Sequence, residues 1–225
     1  MTPELRRITL TALCLLVGWP AAAASWEHVT TSDGVRVSSR PVPGQDLPEF
    51  RGRMTINAPI LSVLAVLEDA TRYCEWMSRC AESRVLEQKA GSRRIVYHRL
   101  DAPWPVADRD VVVSGKTKMN LEEGWATSSF FSVKHKRMPQ RSGVVRMDTL
   151  KGFYRLKMLD DRRTQVTYQV LTDPGGDLPK WLARRATTRL PIETLNNLKD
   201  EVSKSSGKRR GSLNGQQRQA TSEGS

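Results

Sequence analysis

The chain has 225 residues, with 36 Lys and Arg against 24 Asp and Glu, a formal net charge of +12, 38% apolar side chains and 27% charged ones. That composition excludes a collagen-like fibre, wholesale disorder and a polytopic membrane protein. Its basic balance points to anionic surfaces as partners.

One stretch, Ile8 to Ala24, is apolar enough for a membrane segment, and it carries the parts of an export signal in order. Arg6 and Arg7 come first, then an apolar run from Ile8 to Val17, then the small residues Ala21 to Ala24. Leu13 stands before Cys14 where a lipoprotein signal needs a small residue. Residues 1–24 are therefore read as a cleaved signal peptide, the mature chain starts at Ser25, and the protein is expected to be periplasmic or secreted. Removing Glu4, Arg6 and Arg7 with that segment leaves 34 basic and 23 acidic side chains, so the positive charge belongs to the mature protein.

Along the mature chain, Gly34 to Arg40 and Phe50 to Ile56 alternate apolar and polar residues, the period of a half-buried strand. Asn57 and Pro59 suit a helix start, and Ile60, Leu61, Val63, Leu64 and Leu67 follow at helical spacing. A short helical turn is expected at Tyr73 to Met77. Seven antiparallel strands are predicted next: 83–88, 93–100, 110–119, 125–135, 143–150, 153–159 and 164–171. Ala90-Gly91, Glu123-Gly124, Ser142-Gly143 and Asp160-Asp161 supply turns between them. In the last strand Val166, Tyr168 and Val170 share one face and Gln165, Thr167 and Gln169 the other, which describes a sheet with one wet side.

After Asp173-Pro174-Gly175-Gly176 the period becomes helical again. A helix from Pro179 to Ser203 is predicted through Trp181, Leu182, Ala186, Leu190, Leu195, Leu198 and Val202, kinked at Pro191. Residues 204–225 carry a net charge of +4 and almost no apolar side chains, the composition of a disordered basic tail. Residues 25–203 are long enough for one domain that buries roughly 70% of its unfolded surface. The expected fold is α+β: a curved antiparallel sheet closed by a long C-terminal helix, with a cavity between them.

Cys14 leaves with the signal, so the exported chain retains Cys74 and Cys80. Two cysteines six residues apart on one continuous helix would be separated by about 9 Å of rise, too far to bond. A disulfide therefore requires the helix to end near Trp76 or Met77.

Three segments carry a resemblance. Pro103-Trp104-Pro105-Val106-Ala107-Asp108-Arg109-Asp110, Arg141-Ser142-Gly143-Val144-Val145-Arg146 and Asp173 to Leu182 resemble, in order and spacing, the START (steroidogenic acute regulatory-related lipid transfer) domain family of the Bet v 1-like helix-grip superfamily. The similarity covers roughly 26–203, and the phosphatidylcholine-transfer branch is the most similar. It implies a helix-grip fold, with the sheet wrapped around the C-terminal helix and a tunnel for one lipid.

Carried over residue by residue, the phosphate-binding arginine and glutamine of the phosphatidylcholine branch fall on Tyr73 and Gly152, and its choline cage falls on His98, Val111 and Leu150. Neither Tyr73 nor Gly152 replaces a bidentate cation, and no three-ring box remains, so phosphatidylcholine is disfavoured as ligand. The acid and arginine of the sterol branch fall on Val96 and Gly115. Strand parity places Arg146 and Asp148 on the inward face with Leu150, as an interior charge pair that would anchor a head group; the alternative is a salt bridge at the sheet's end. Arg109, next to a proline-rich turn, is expected to satisfy local groups, with lipid binding as the other reading. Trp181 and Leu182 are expected to pack the helix, with lipid contact as the other reading.

Three histidines (His28, His98, His135), no HExxH sequence, no nucleophile elbow and no cysteine–histidine spacing argue against a metal, a cofactor or catalysis. Aromatic residues do not interleave the basic run at Lys208 to Arg210, which argues against nucleic acid. The sequence thus predicts a monomeric, non-enzymatic carrier that holds one hydrophobic lipid and touches an anionic membrane surface. The rivals are a polyketide cyclase or aromatase type of enzyme on the same fold, and a lipid sensor that does not transfer.

Overall fold

A computed structural model describes residues 24–89 and 93–222. The proposed signal peptide, residues 1–24, lies outside them but for its last residue. Among the described residues no helix is long and apolar enough to cross a membrane.

The strands are β1 (Glu27–Ser32), β2 (Val35–Arg40), β3 (Glu49–Ile56), β4 (Cys80–Lys89), β5 (Arg93–Leu100), β6 (Asp108–Asn120), β7 (Trp125–Ser132), β8 (Val144–Arg146), β9 (Thr149–Asp160) and β10 (Arg163–Asp173). They form one sheet in the order β1-β2-β3-β10-β9-β7-β6-β5-β4, with β8 parallel to the start of β6. Every other pairing is antiparallel. The pairing of β3 with β10 joins the first hairpin to the last, so the sheet is closed by a contact more than a hundred residues apart in sequence.

Three helices lie against its inner face: α1 (Ile60–Glu68), α2 (Tyr73–Trp76) and α3 (Lys180–Ser222). Alternation along each strand sends Val35, Val37, Phe50, Met54, Leu156, Val166 and Val170 inward, where they meet α1 and α3 in one core. Gly52 is the point of closest approach. A Cβ there would stand 2.9 Å from both Leu195 Cδ1 and Pro191 Cβ, so the missing side chain lets α3 press onto β3. Pro191 is buried in that contact, and α3 runs through it as one continuous helix.

The structure departs from the sequence reading at several places. Strand β1 was not foreseen. The strand predicted over 143–150 is broken: β8 ends at Arg146 and β9 begins at Thr149, because β8 follows β6 while β9 joins β7 and β10. The backbone of 204–222, read from the sequence as part of a disordered tail, continues α3 as helix to Ser222, and the last three residues of that tail lie outside the described residues. Extending an existing helix avoids the cost of nucleation, so this segment needs no apolar face to continue it.

The segment after α1 is tied down locally. Asp69 Oδ1 accepts from the backbone N–H of Thr71 and of Arg72, which opens a single 3-10 turn at Ala70–Arg72. Helix α2 ends at Trp76 because Met77 is extended (φ −74°, ψ 123°). That exit brings Cys80 back beside Cys74, and the two form a disulfide with Cα atoms 4.8 Å apart.

Candidate functional site

A cavity of about 150 Å³ lies between the inner sheet face and the helices. Arg94, Gly115 and Ser128 line one end; Leu100, Met147 and Thr172 line the other. The span follows β5 from Arg94 to Leu100, about 20 Å at the usual rise per strand residue. Among the described residues, helix α3 contributes Leu190 alone, whereas Leu67, Ala70, Tyr73 and Met77 cover it from the α1–α2 segment. The volume is below the ~300–1,000 Å³ of ordinary small-molecule sites, so a lipid fits only if part of this cover moves outward.

Aromatic rings form one wall. Tyr154 and Tyr168 stack at 4.6 Å between centroids, Phe130 leans on both, and Tyr73 lies against His98 at 4.4 Å. The hydroxyls of Tyr73, Tyr154 and Tyr168 neighbour one another, and burial raises the pKa of each well above the usual tyrosine value. All three stay protonated at neutral pH. Burial, with Arg94 adding to it, pushes His98 down to about 4, so its ring is neutral as well.

The cation of the cavity is already neutralised. Arg94 Nη1 donates to the Glu68 carbonyl (2.6 Å) and to Glu68 Oε2 (3.0 Å), while Nη2 donates to the Leu67 carbonyl (3.0 Å). Those carbonyls belong to the last turn of α1, where a cation meets the negative end of the helix dipole. Glu68 Oε1 accepts in turn from Thr117 Oγ1 at 2.5 Å and Ser128 Oγ at 3.4 Å. In contrast, His98 Nδ1 and Thr172 Oγ1 are buried with no hydrogen-bond partner among the described residues.

Of the residues singled out from the sequence, Tyr73, Val96, His98, Val111 and Leu150 line the cavity. Arg146 and Asp148 do not form the interior pair expected of them. The break after β8 reverses parity, so Met147 faces the cavity and Asp148 is exposed. Arg146 pairs instead with Asp110, through Nε–Oδ1 at 2.6 Å and Nη2–Oδ2 at 3.0 Å, outside the cavity.

Gly152 is not a head-group position either. The Phe130 ring occupies the space over it, and a Cβ at Gly152 would sit 2.8 Å from Phe130 Cζ and 2.1 Å from the Gln169 carbonyl oxygen. Arg109 stays out of the cavity and donates to the carbonyls of Ala107, Pro174 (3.4 Å) and Gly175 (3.2 Å). Trp181 is 66% exposed, neither packed nor in the cavity. The inward stripe of α3 runs through Ala183, Thr187, Pro191 and Thr194, and two residues of helix, about 200° of turn, put Trp181 on the far side.

Sequence reasoning passed over Tyr154, Phe130, Met147, Thr172, Arg94 and Glu68. Parity carried on from Leu150 along β9 would have found Tyr154. Nothing local marks Phe130 or Glu68, which reach the site through tertiary packing.

Residues 23–207 match the START domain. An uncharacterized protein of Pseudomonas aeruginosa is 33% identical over 205 residues, which is 89% of this chain and 98% of that protein. Human phosphatidylcholine transfer protein is 23% identical over 175 residues, 75% of this chain and 80% of its own. Among solved structures, a fragment of a STAR-related lipid transfer protein from Xanthomonas axonopodis superposes with a TM-score of 0.71 at 32% identity, covering 79% of this chain and 98% of the fragment. Human STARD10 shares the fold with a TM-score of 0.74 at 22% identity, over 84% of this chain and 77% of that one. With that match and the helix-gripped sheet described above, the chain belongs to the START domain family.

Proposed function

We propose that the protein holds one hydrophobic lipid in the cavity beneath its helices and carries it between membranes in the cell envelope, acting as a monomer after export. The observation that carries this reading is the apolar, aromatic cavity itself, enclosed by the sheet on one side and by helical segments on the other. Relatives named as lipid transfer proteins support it. No carboxylate lines the cavity among the described residues, and His98 is a poor base at neutral pH, which favours holding over the acid–base chemistry a cyclase requires.

Moving a 16-carbon chain through water costs on the order of 12 kcal/mol, at about 0.8 kcal/mol per methylene, so exchange takes place against a membrane. Helix α3 is the element to open. Its half beyond Pro191 is held by Leu195, Leu198 and Val202, all fully buried, while the half before it buries only Ala183 and Thr187 and carries Leu190 into the cavity. Pro191 removes a backbone hydrogen bond between the halves.

Two exposed tryptophans mark the end that would touch lipid. Trp104, 92% exposed, sits on the loop before β6, and Trp181 sits just after the loop that follows β10; Arg109 bonds carbonyls of both loops. Indole rings favour the head-group layer of a bilayer. Arg36, Arg53 and Arg155 lie in one cross-strand row on the outer sheet face and add attraction to anionic lipid, up to about 1 kcal/mol for each cation near the surface.

Protein purified from its native envelope should yield one stoichiometric lipid by mass spectrometry, and should move it from donor to acceptor vesicles. Trp104→Ala with Trp181→Ala should slow transfer at least tenfold while leaving the bound lipid in place. A lipid that is bound yet never transferred would favour a sensor; protein free of any lipid would remove the proposal.

A further inference from the structure

The walls of the cavity carry hydrogen-bonding groups but no uncompensated charge, and this bears on which lipid they accept. Arg94 is engaged with the Glu68 carboxylate and with two carbonyls of α1. A phosphate or carboxylate head group placed in the cavity would have to compete with Glu68 for that guanidinium, or remain buried without a counter-charge; either is strongly unfavourable. A cationic head group finds no lining carboxylate among the described residues.

Neutral polar groups, by contrast, are in surplus. His98 on β5 and Thr172 on β10 both belong to the lining, with β9, β7 and β6 between them in the sheet, and both lie near the end of the cavity that Arg109 ties to the Trp104 loop. His98 Nδ1 and Thr172 Oγ1 are buried without partners. A buried polar atom with no partner carries its full desolvation penalty, and such groups in a native interior call for an explanation such as a ligand. The neighbouring hydroxyls of Tyr73, Tyr154 and Tyr168 remain protonated and uncharged, so they donate and accept without favouring either sign of charge.

We infer that the ligand is a lipid whose polar end is uncharged, an alcohol or carbonyl, and that His98 and Thr172 are the groups that recognise it. This rests on the reading that the cavity holds a lipid and adds which class it selects. A hydroxyl both donates and accepts, so it can satisfy an imidazole nitrogen or a threonine hydroxyl.

Four probes with one chain length separate the outcomes: hexadecanol, hexadecanoate, hexadecyl phosphate and hexadecane, each titrated into delipidated full-length protein. Hexadecanol should bind at least tenfold more tightly than the two anions, and about five- to thirtyfold more tightly than the alkane, as one or two net hydrogen bonds predict. Thr172→Val and His98→Phe should each reduce the preference of alcohol over alkane by about threefold or more while leaving alkane affinity within twofold. Thr172→Val, which removes an unpartnered group without changing volume, should melt no lower than the parent, so that loss of preference is not loss of fold.

Anions bound as tightly as the alcohol would overturn the uncharged-ligand inference and leave the lipid-holding function standing. A preference that survives both substitutions would overturn the assignment to His98 and Thr172. Failure of all four probes, in protein that also yields no native lipid, would remove the underlying function instead.

Discussion

Replacing Arg146 by methionine separates a structural ion pair from a ligand anchor. Asp110 is completely buried and accepts two bonds from Arg146, whose side chain is 13% exposed and also donates to the carbonyls of Met138 (3.1 Å) and Pro139 (3.4 Å). The hydrogen bond to the Asp110 side chain raises the pKa of Arg146 further, so the guanidinium stays charged. Methionine retains most of the aliphatic volume and leaves the Asp110 carboxylate buried without its cation. Breaking a buried pair from one side costs about 3–5 kcal/mol, and the small exposure of Arg146 favours the lower figure. At 2–4 °C per kcal/mol for a chain of this size, melting should fall by about 6–12 °C. The assay is thermal unfolding followed by circular dichroism, together with mass spectrometry of the lipid that co-purifies. Lipid identity should be unchanged, since the pair lies outside the cavity. The double variant Asp110→Asn with Arg146→Met should be more stable than Arg146→Met alone, because no buried charge is stranded. A changed head-group class with melting within about 2 °C of the parent would refute this reasoning and return Arg146 to the binding site.

Gly52→Ala would place a methyl group 2.9 Å from Leu195 and Pro191, so α3 must shift; a loss of about 1–3 kcal/mol and faster amide exchange along the helix are expected, and an unchanged melt would show the contact to be loose. Removing the Cys74–Cys80 bond by Cys74→Ser with Cys80→Ser should cost about 2 kcal/mol from the small loop it closes and should weaken lipid retention, because Tyr73 and Met77 on the stapled segment cover the cavity; urea unfolding and lipid occupancy report the two effects. The His98 pKa, lowered to about 4 from an unfolded value near 6.5, makes the unfolded chain bind the extra proton first, so stability should fall as pH drops from about 6.5 to 4 and level off below that. The slope contributed by this group approaches about 1.4 kcal/mol per pH unit, and urea midpoints of His98→Phe should lack it.

The amino-acid order settled a good deal by itself. Two-residue alternation in β3 and β10, helical spacing from Ile60 to Leu67 and the turn residues between strands are local, and each announces its element without knowledge of the rest. The three START-like segments added the helix-grip arrangement, and the geometry of a six-residue spacing told where α2 had to end for Cys74 to reach Cys80. The carry-over from the family resemblance picked out Tyr73, Val96, His98, Val111 and Leu150, and all five line the cavity.

Parity failed where the strand stopped. The change of partner between β8 and β9 exchanged Met147 for Arg146 and Asp148 at the wall, and no feature of residues 143–150 signals which neighbours those strands would choose. Glu68 neutralises Arg94, Phe130 fills the space over Gly152, and Gly52 admits Leu195, each through partners 22 to 143 residues away. Such contacts depend on how the whole sheet curls around α3, which sets both the small size of the cavity and the absence of a net charge from its walls. Periodicity reports which way a side chain points from its own backbone; only the assembled fold decides what it meets there.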